Sequence, residues 1–165
     1  MNINRGKKFE QVIREAFRKV PDTFVMRLPD QTTRYRGTSA NICDFVVYKH
    51  PTVYFVECKS VHGNTLSIHS EPKKDNYGKL HGFYGNITDT QWEGLLEASK
   101  VPGVVAGVIC WWVDHDVTRF LPIQQLESWR NADNKSVRFD TNLGTPIEGK
   151  KKKIFFDYNM EKFLW

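Results

Sequence analysis

Residues 42–59 read ICDFVVYKHPTVYFVECK, two β-rich runs around a short polar break. Residues 42–48 and 53–59 are dense in Val, Ile, Tyr and Phe, which fit a pleated, half-buried surface. Lys49, His50, Pro51 and Thr52 read as a four-residue hairpin loop. If Tyr48 pairs with Val53, Asp44 falls opposite Glu57. Alternation then sets Asp44, Val46, Tyr48, Val53, Phe55, Glu57 and Lys59 on one face. Cys43, Phe45, Val47, Tyr54, Val56 and Cys58 take the other. Three ionisable groups thus meet at the open end of an otherwise apolar hairpin.

Carboxylates paired across strands have Cβ atoms about 4.5–5.5 Å apart and repel one another, and burial adds a desolvation cost. A divalent cation between them removes both penalties, and hard oxygen ligands of this kind suit Mg²⁺. Lys59, about 6.6 Å along the strand from Glu57, reaches the same space. An ammonium there orients a water or neutralises charge developing on a phosphate. A plain cross-strand ion cluster at a solvent-facing sheet end fits the same register, and the hairpin alone leaves both readings open.

Outward from the hairpin, residues 5–20 carry Phe9, Val12, Ile13, Ala16, Phe17 and Val20 on one apolar helical stripe. Residues 23–28 read as a short strand and 29–41 as a polar loop holding Arg34, Arg36 and Gly37. A long irregular stretch is expected over 60–87. A second helix covers 88–100, with overlapping capping boxes at Thr88–Gln91 and Thr90–Glu93. Residues 104–113 form a strand apolar on both faces, so Trp111 and Trp112 belong to a core. Residues 117–121 pair with it, 122–130 make a short helix, 151–157 an edge strand, and 158–165 an apolar anchor. The expectation is one α/β domain over residues 1–165, a mixed central sheet flanked by helices.

Composition narrows the partner. The chain has 165 residues, with 24 Lys and Arg against 19 Asp and Glu. Nine basic and four acidic side chains lie in residues 1–36, so the whole surplus of +5 belongs there. A basic surplus points to an anionic partner. The best apolar run, 101–113, contains Pro102, Gly103 and Gly107 and falls short of the roughly 20 residues that span a bilayer. Residues 1–11 lack the apolar run of a signal peptide. Cys43, Cys58 and Cys110 show no metal-ligand spacing and read as buried reduced thiols of a cytoplasmic protein, cellular or viral. The five histidines, His50, His62, His69, His81 and His115, are scattered without ligand spacing.

Asp44 followed by Glu57-Cys58-Lys59 resembles the metal-binding hairpin of the PD-(D/E)xK nuclease superfamily, in which an acidic residue precedes a strand ending in Glu-x-Lys. Upstream, Asn4-Arg5-Gly6-Lys7-Lys8-Phe9-Glu10 is similar to the opening helix of archaeal-type and RecU-type Holliday junction resolvases. The closing segment from Asp157 is similar to the RecU-type C-terminus. Cys43 stands where the superfamily name has proline, and the loop 29–41 is shorter than the RecU-type stalk. The resemblance implies a restriction-endonuclease-like fold and a Mg²⁺-dependent endonuclease acting on branched DNA, with Mn²⁺ as a substitute metal. It implies Glu10, Asp44 and Glu57 as metal ligands, helped by the Cys58 carbonyl, with Lys59 and Gln91 as further catalytic residues. Arg5, Lys7, Lys8, Arg27, Arg34, Arg36 and Ser39 would contact the DNA, the cations through phosphates. Paired cuts imply a homodimer, with no nucleotide cofactor. A nuclease of linear or site-specific duplex, and a non-catalytic DNA-binding protein on the same fold, are the alternatives.

Overall fold

The apolar stripe near the N-terminus becomes one wall of a core. The computed structural model describes residues 4–29, 41–69, 72–74, 76–78, 80–82 and 85–164. Helix α1 (Arg5–Arg18) starts at Asn4, whose side chain accepts from the Lys7 N–H, satisfying one orphan donor of the first turn. It buries Phe9, Ile13, Ala16 and Phe17.

Strands β1 (Phe24–Arg27), β2 (Phe45–Lys49) and β3 (Thr52–Val61) follow, then β4 (Thr65–Ser67), β5 (Pro72–Lys74) and β6 (Leu80–Gly82). Helix α2 (Asp89–Ala98) leads to β7 (Val104–Trp112), β8 (Val117–Pro122) and helix α3 (Ile123–Asn131). The chain ends in β9 (Ser136–Arg138), β10 (Thr145–Pro146), β11 (Gly149–Lys151) and β12 (Phe156–Tyr158).

Among the described residues the central sheet runs β1-β2-β3-β7-β8-β10. It is mixed: β3 and β7 are parallel, and the other neighbours antiparallel. A parallel pair needs a crossover, and α2 lies on that connection. Helix α1 covers one face over Phe45, Val47, Tyr54, Val56 and Trp111. Trp92 and Leu95 of α2 and Ile123 and Leu126 of α3 cover the other, over Val108, Cys110 and Trp112. The expected mixed α/β sheet flanked by helices is what forms. Among the described residues no helix is long and apolar enough to cross a membrane.

The hairpin register is the one read from the sequence, with Tyr48 opposite Val53 and Phe45 opposite Val56. Pairing continues to Lys49 and Thr52, so His50 and Pro51 alone make the turn. Strict alternation fails at one end. Asp44 lies just outside β2, donates its N–H to Val56 O at 3.1 Å and accepts from Leu28 N–H at 2.9 Å. The chain bends there, and Cys43 is buried on the α2 face rather than beside Phe45.

Two other expectations change. Residues 60–87 are not irregular throughout: β3 extends to Val61, β4 pairs with β9, and β5 pairs with β6. The β4–β9 ladder joins segments some seventy residues apart, a contact invisible to a local window. The tail does not add an edge to the central sheet. Instead β11 and β12 pair with each other, because the aromatic residues nearby have a better surface to cover. Phe155 and Phe156 pack on Trp111, and Tyr158 Oη is 2.8 Å from Thr118 Oγ1. Met160 and Leu164 are buried against the same core, so the closing segment does anchor the chain.

Candidate functional site

The open end of the β2–β3 hairpin lies beside α1 on one face and α2 on the other, and each element delivers one part of the site. Glu57, in β3, is 3% exposed. Its Oε1 accepts from Lys59 Nζ at 2.8 Å and from Gln91 Nε2 at 2.6 Å. Asp44, held by the bend before β2, accepts the Cys58 N–H on Oδ2 at 2.8 Å. Asp44 Oδ1 and Glu57 Oε2 have no hydrogen-bond partner among the described residues.

Gln91 belongs to a helix cap and to the site at once. Its Oε1 accepts the Thr88 N–H at 3.0 Å, while its own N–H donates to Thr88 Oγ1 at 3.2 Å. With the carbonyl end of the amide occupied by the cap, the NH₂ end is presented to Glu57. Thr88 therefore orients a site residue without touching the carboxylates. Its sequence signal, the capping box, was visible; that the same glutamine reaches β3 was not.

The electrostatics are those of crowded acids. Burial pushes the Asp44 carboxyl up to about 6, with the Glu10 charge adding to the rise and Cys58 N–H, Lys59 and Arg27 opposing it. Burial likewise pushes Glu57 up to about 7, with Asp44 and Glu10 adding to the rise and Lys59 opposing it. Two buried acids, both raised by desolvation and by neighbouring carboxylates, match a hard cation, which would stabilise both charged forms. Asp44 and Glu57 thus fit Mg²⁺ as oxygen donors.

The full ligand set expected from sequence is not gathered. Among the described residues no three His, Cys, Asp or Glu side chains come together closely enough to hold one ion. Glu10 turns its Oε2 to Arg27, 3.2 Å away. The ion pair spans α1 and β1, replacing the i,i+4 contact with Arg14 that the sequence allows. Arg27, expected on DNA, is thereby a neighbour of the acids. The Cys58 thiol is buried among apolar side chains and held well above its ordinary range, first by burial and then by the surrounding carboxylates.

The other expected contacts spread along α1. Lys8 Nζ donates to Gln11 Oε1 at 3.1 Å. Arg5 bonds to His62, and His62 Nδ1 lies 2.9 Å from Asp114 Oδ1. Asp114 also accepts the Gly63 N–H at 2.6 Å, and these bonds hold its carboxyl below the usual range. This chain ties the start of α1 to the ends of β3 and β7. Sequence reading gave His62 no role, since its partners lie far away in the chain. Arg34, Arg36 and Ser39 lie outside the described residues.

Comparison with known proteins finds a likeness among solved structures. No protein-family model and no curated protein matches the chain. Among solved structures, it is similar to Hjc, a Holliday junction resolvase from the archaeal hyperthermophile Archaeoglobus fulgidus, at 18% identity and a TM-score of 0.44. The match covers 87% of this chain and 88% of that one.

Proposed function

We propose that this chain is a Mg²⁺-dependent, structure-selective DNA endonuclease that resolves four-way (Holliday) junctions by phosphodiester hydrolysis. The observation that carries the reading is the buried Asp44–Glu57 pair, both acids raised, with Lys59 and Gln91 bonded to one of them. The ordered set Glu10, Asp44, Glu57 and Lys59 in sequence supports the same chemistry, and the basic surplus of residues 1–36 suits a phosphate-rich partner.

Asp44 and Glu57 would hold the metal with the Cys58 carbonyl, and Glu10, turned to Arg27, would add negative charge beside them. Bound there, Mg²⁺ supplies a nucleophilic water at neutral pH and shields the scissile phosphate. Lys59 Nζ, held 2.8 Å from Glu57 Oε1, would orient the attacking water through an N–H. Gln91 fixes the Glu57 carboxylate, and Arg27 does the same for Glu10. Two such sites in a homodimer would cut two symmetric strands.

The test is incubation of labelled four-way, flap and matched linear DNA with Mg²⁺, with EDTA, and with an Asp44→Asn variant. Symmetric nicks in the junction, lost with EDTA and in the variant, are expected. Equal cutting of linear duplex overturns the junction selectivity. No cutting of any substrate overturns the enzyme.

A further inference from the structure

The first turn of α1 is held by polar ties rather than by packing. Arg5, Lys7 and Lys8 are exposed, and the buried stripe of the helix starts only at Phe9. Gly6 sits inside that turn, where glycine is the least helix-favouring residue short of proline. A Cβ there would meet only Asn4 Oδ1 at 3.6 Å, an ordinary contact, so no close approach calls for the glycine. The turn is intrinsically loose, and Arg5 tethers it to His62, which directly follows β3. A guanidinium only donates. His62 Nε2 therefore accepts from Arg5, and the ring proton lies on Nδ1, 2.9 Å from Asp114 Oδ1. Gly63, at φ +75°, turns its own N–H to Asp114 Oδ2 at 2.6 Å. These bonds hold the Asp114 carboxyl below its usual range, so it stands as a fixed charge behind the imidazole.

We propose that His62 is a positioning residue that works only when neutral. Relaying Asp114 to Arg5, it seats the first turn of α1 on the ends of β3 and β7, and so fixes where the Glu10 charge lies beside Asp44 and Glu57. Protonation of His62 releases that seat. An imidazolium has two N–H donors and no acceptor, so it keeps Asp114 and loses Arg5, leaving two cations facing each other. Imidazole ordinarily changes charge between about pH 5 and pH 8. The charged groups bonded to His62 are Arg5, from α1, and Asp114, from the turn Val113–His115 after β7. His115 of that turn bears on Asp114, but its Nε2 is 2.7 Å from Asn64 Oδ1 and its ring stacks on Phe139. Arg138, in β9, and Asp140 pair with each other. Glu10 lies about 7.5 Å along α1 from Arg5, and Lys59 precedes His62 on β3. The tether thus joins the two elements that deliver these site residues. Its effect on cutting rests on the nuclease reading; the tether itself does not.

The experiment is amide hydrogen exchange of the metal-free protein at about pH 8 and about pH 5.5, read as protection of Lys8, Phe9 and Glu10 relative to Phe17 of the same helix. An exposed tether adds little to global stability, so its effect is local. Wild-type protection at these amides is expected to be about threefold greater at the higher pH. His62→Ala and Arg5→Met should show the lower value at both, which separates the imidazole from Asp44 and Glu57. Adding Gly6→Ala to His62→Ala should restore protection by stiffening the turn, and His115→Gln should behave as wild type. Proton–nitrogen correlation spectra at the higher pH should place the His62 proton on Nδ1. A proton on Nε2, wild-type protection unchanged by pH, or His62→Ala protection equal to wild type at the higher pH overturns the proposal. So does loss of the pH effect in His115→Gln, which would assign it to that ring. In Mg²⁺, His62→Ala should cut the junction about threefold more slowly than wild type at the higher pH and equally fast at the lower. Equal rates at both, with protection altered, overturn the positioning of Glu10. Altered protection with no cutting even by wild type sinks the nuclease and leaves the tether.

Discussion

Glu57 and Glu127 hold matching partners, one cation and one neutral N–H donor each, yet sit in opposite electrostatic situations. Glu57 accepts from Lys59 at 2.8 Å and Gln91 at 2.6 Å. Glu127 accepts from Arg130 at 3.0 Å and from Trp92 Nε1 at 2.6 Å, and the same guanidinium lies 3.9 Å over the Trp92 ring. The second cluster locks α2 to α3, and its one acid and one base balance. Around Glu57, Asp44 and Glu10 add negative charge that Lys59 and Arg27 do not match. The Glu57 side chain is 4% exposed and that of Glu127 26%, so the surplus lies where water screens it least. A bonded carboxylate is therefore not a site by itself; an unbalanced, desolvated group of them is.

The strongest way to break that contrast is to neutralise each glutamate. Glu57→Gln is expected to lower the single-turnover cleavage rate by roughly three orders of magnitude, the scale of several kcal/mol of lost transition-state stabilisation. Glu127→Gln should leave cleavage within about threefold and cost roughly 1–2 kcal/mol of stability in urea melts. Equal kinetic losses would show the two carboxylates to be alike. Lys59→Met should follow with a loss of about 10²-fold, typical of one positioned charge.

Gln91 separates cap from site. Gln91→Ala should reduce cleavage about tenfold and stability by about 1 kcal/mol. Thr88→Ala removes the hydroxyl but leaves the Thr88 N–H on Gln91 Oε1, so it should match that stability cost with little kinetic effect. A large cleavage loss in Thr88→Ala would mean that the hydroxyl itself orients the glutamine.

The smallest effect is in stability against pH. Asp44 and Glu57 are raised to about 6 and about 7 from the ordinary carboxylate range. The folded state therefore binds more protons than the unfolded one, and stability falls as pH rises. Metal-free wild type should lose stability steadily between about pH 4 and pH 7 through these two groups. Asp44→Asn should be the more stable protein at pH 8 in EDTA and lose that advantage toward pH 4. Denaturant melts at both pH values check the sign; a wild type more stable at pH 8 than its variant would refute the crowding.

Much of the site could be seen in the chain because it is built from short-range rules. The β2–β3 register follows from two alternating runs joined by a tight turn, and it brings Asp44 near Glu57 without help from the rest of the fold. The cap at Thr88 and Gln91 is a four-residue pattern. What escaped depends on contacts between distant segments. The bend at Asp44 exists because its backbone bonds to both Val56 and Leu28, so Cys43 leaves the face that alternation assigns it. The tail departs from an edge-strand reading because Trp111 and Thr118 offer its aromatic residues a surface no local pattern reveals.

The basic surplus shows the same division. Sequence alone placed it in residues 1–36 and set Glu10 among those charges on one helix, because composition and helical period are local properties. Tertiary structure decided which charges cancel. Arg27 is spent on Glu10, Arg5 bonds to His62, which in turn meets Asp114, and the Arg14 Nε is buried with no hydrogen-bond partner among the described residues. Charge pairing depends on distance in space, and only the packing of α1 against β1 and β2 sets those distances.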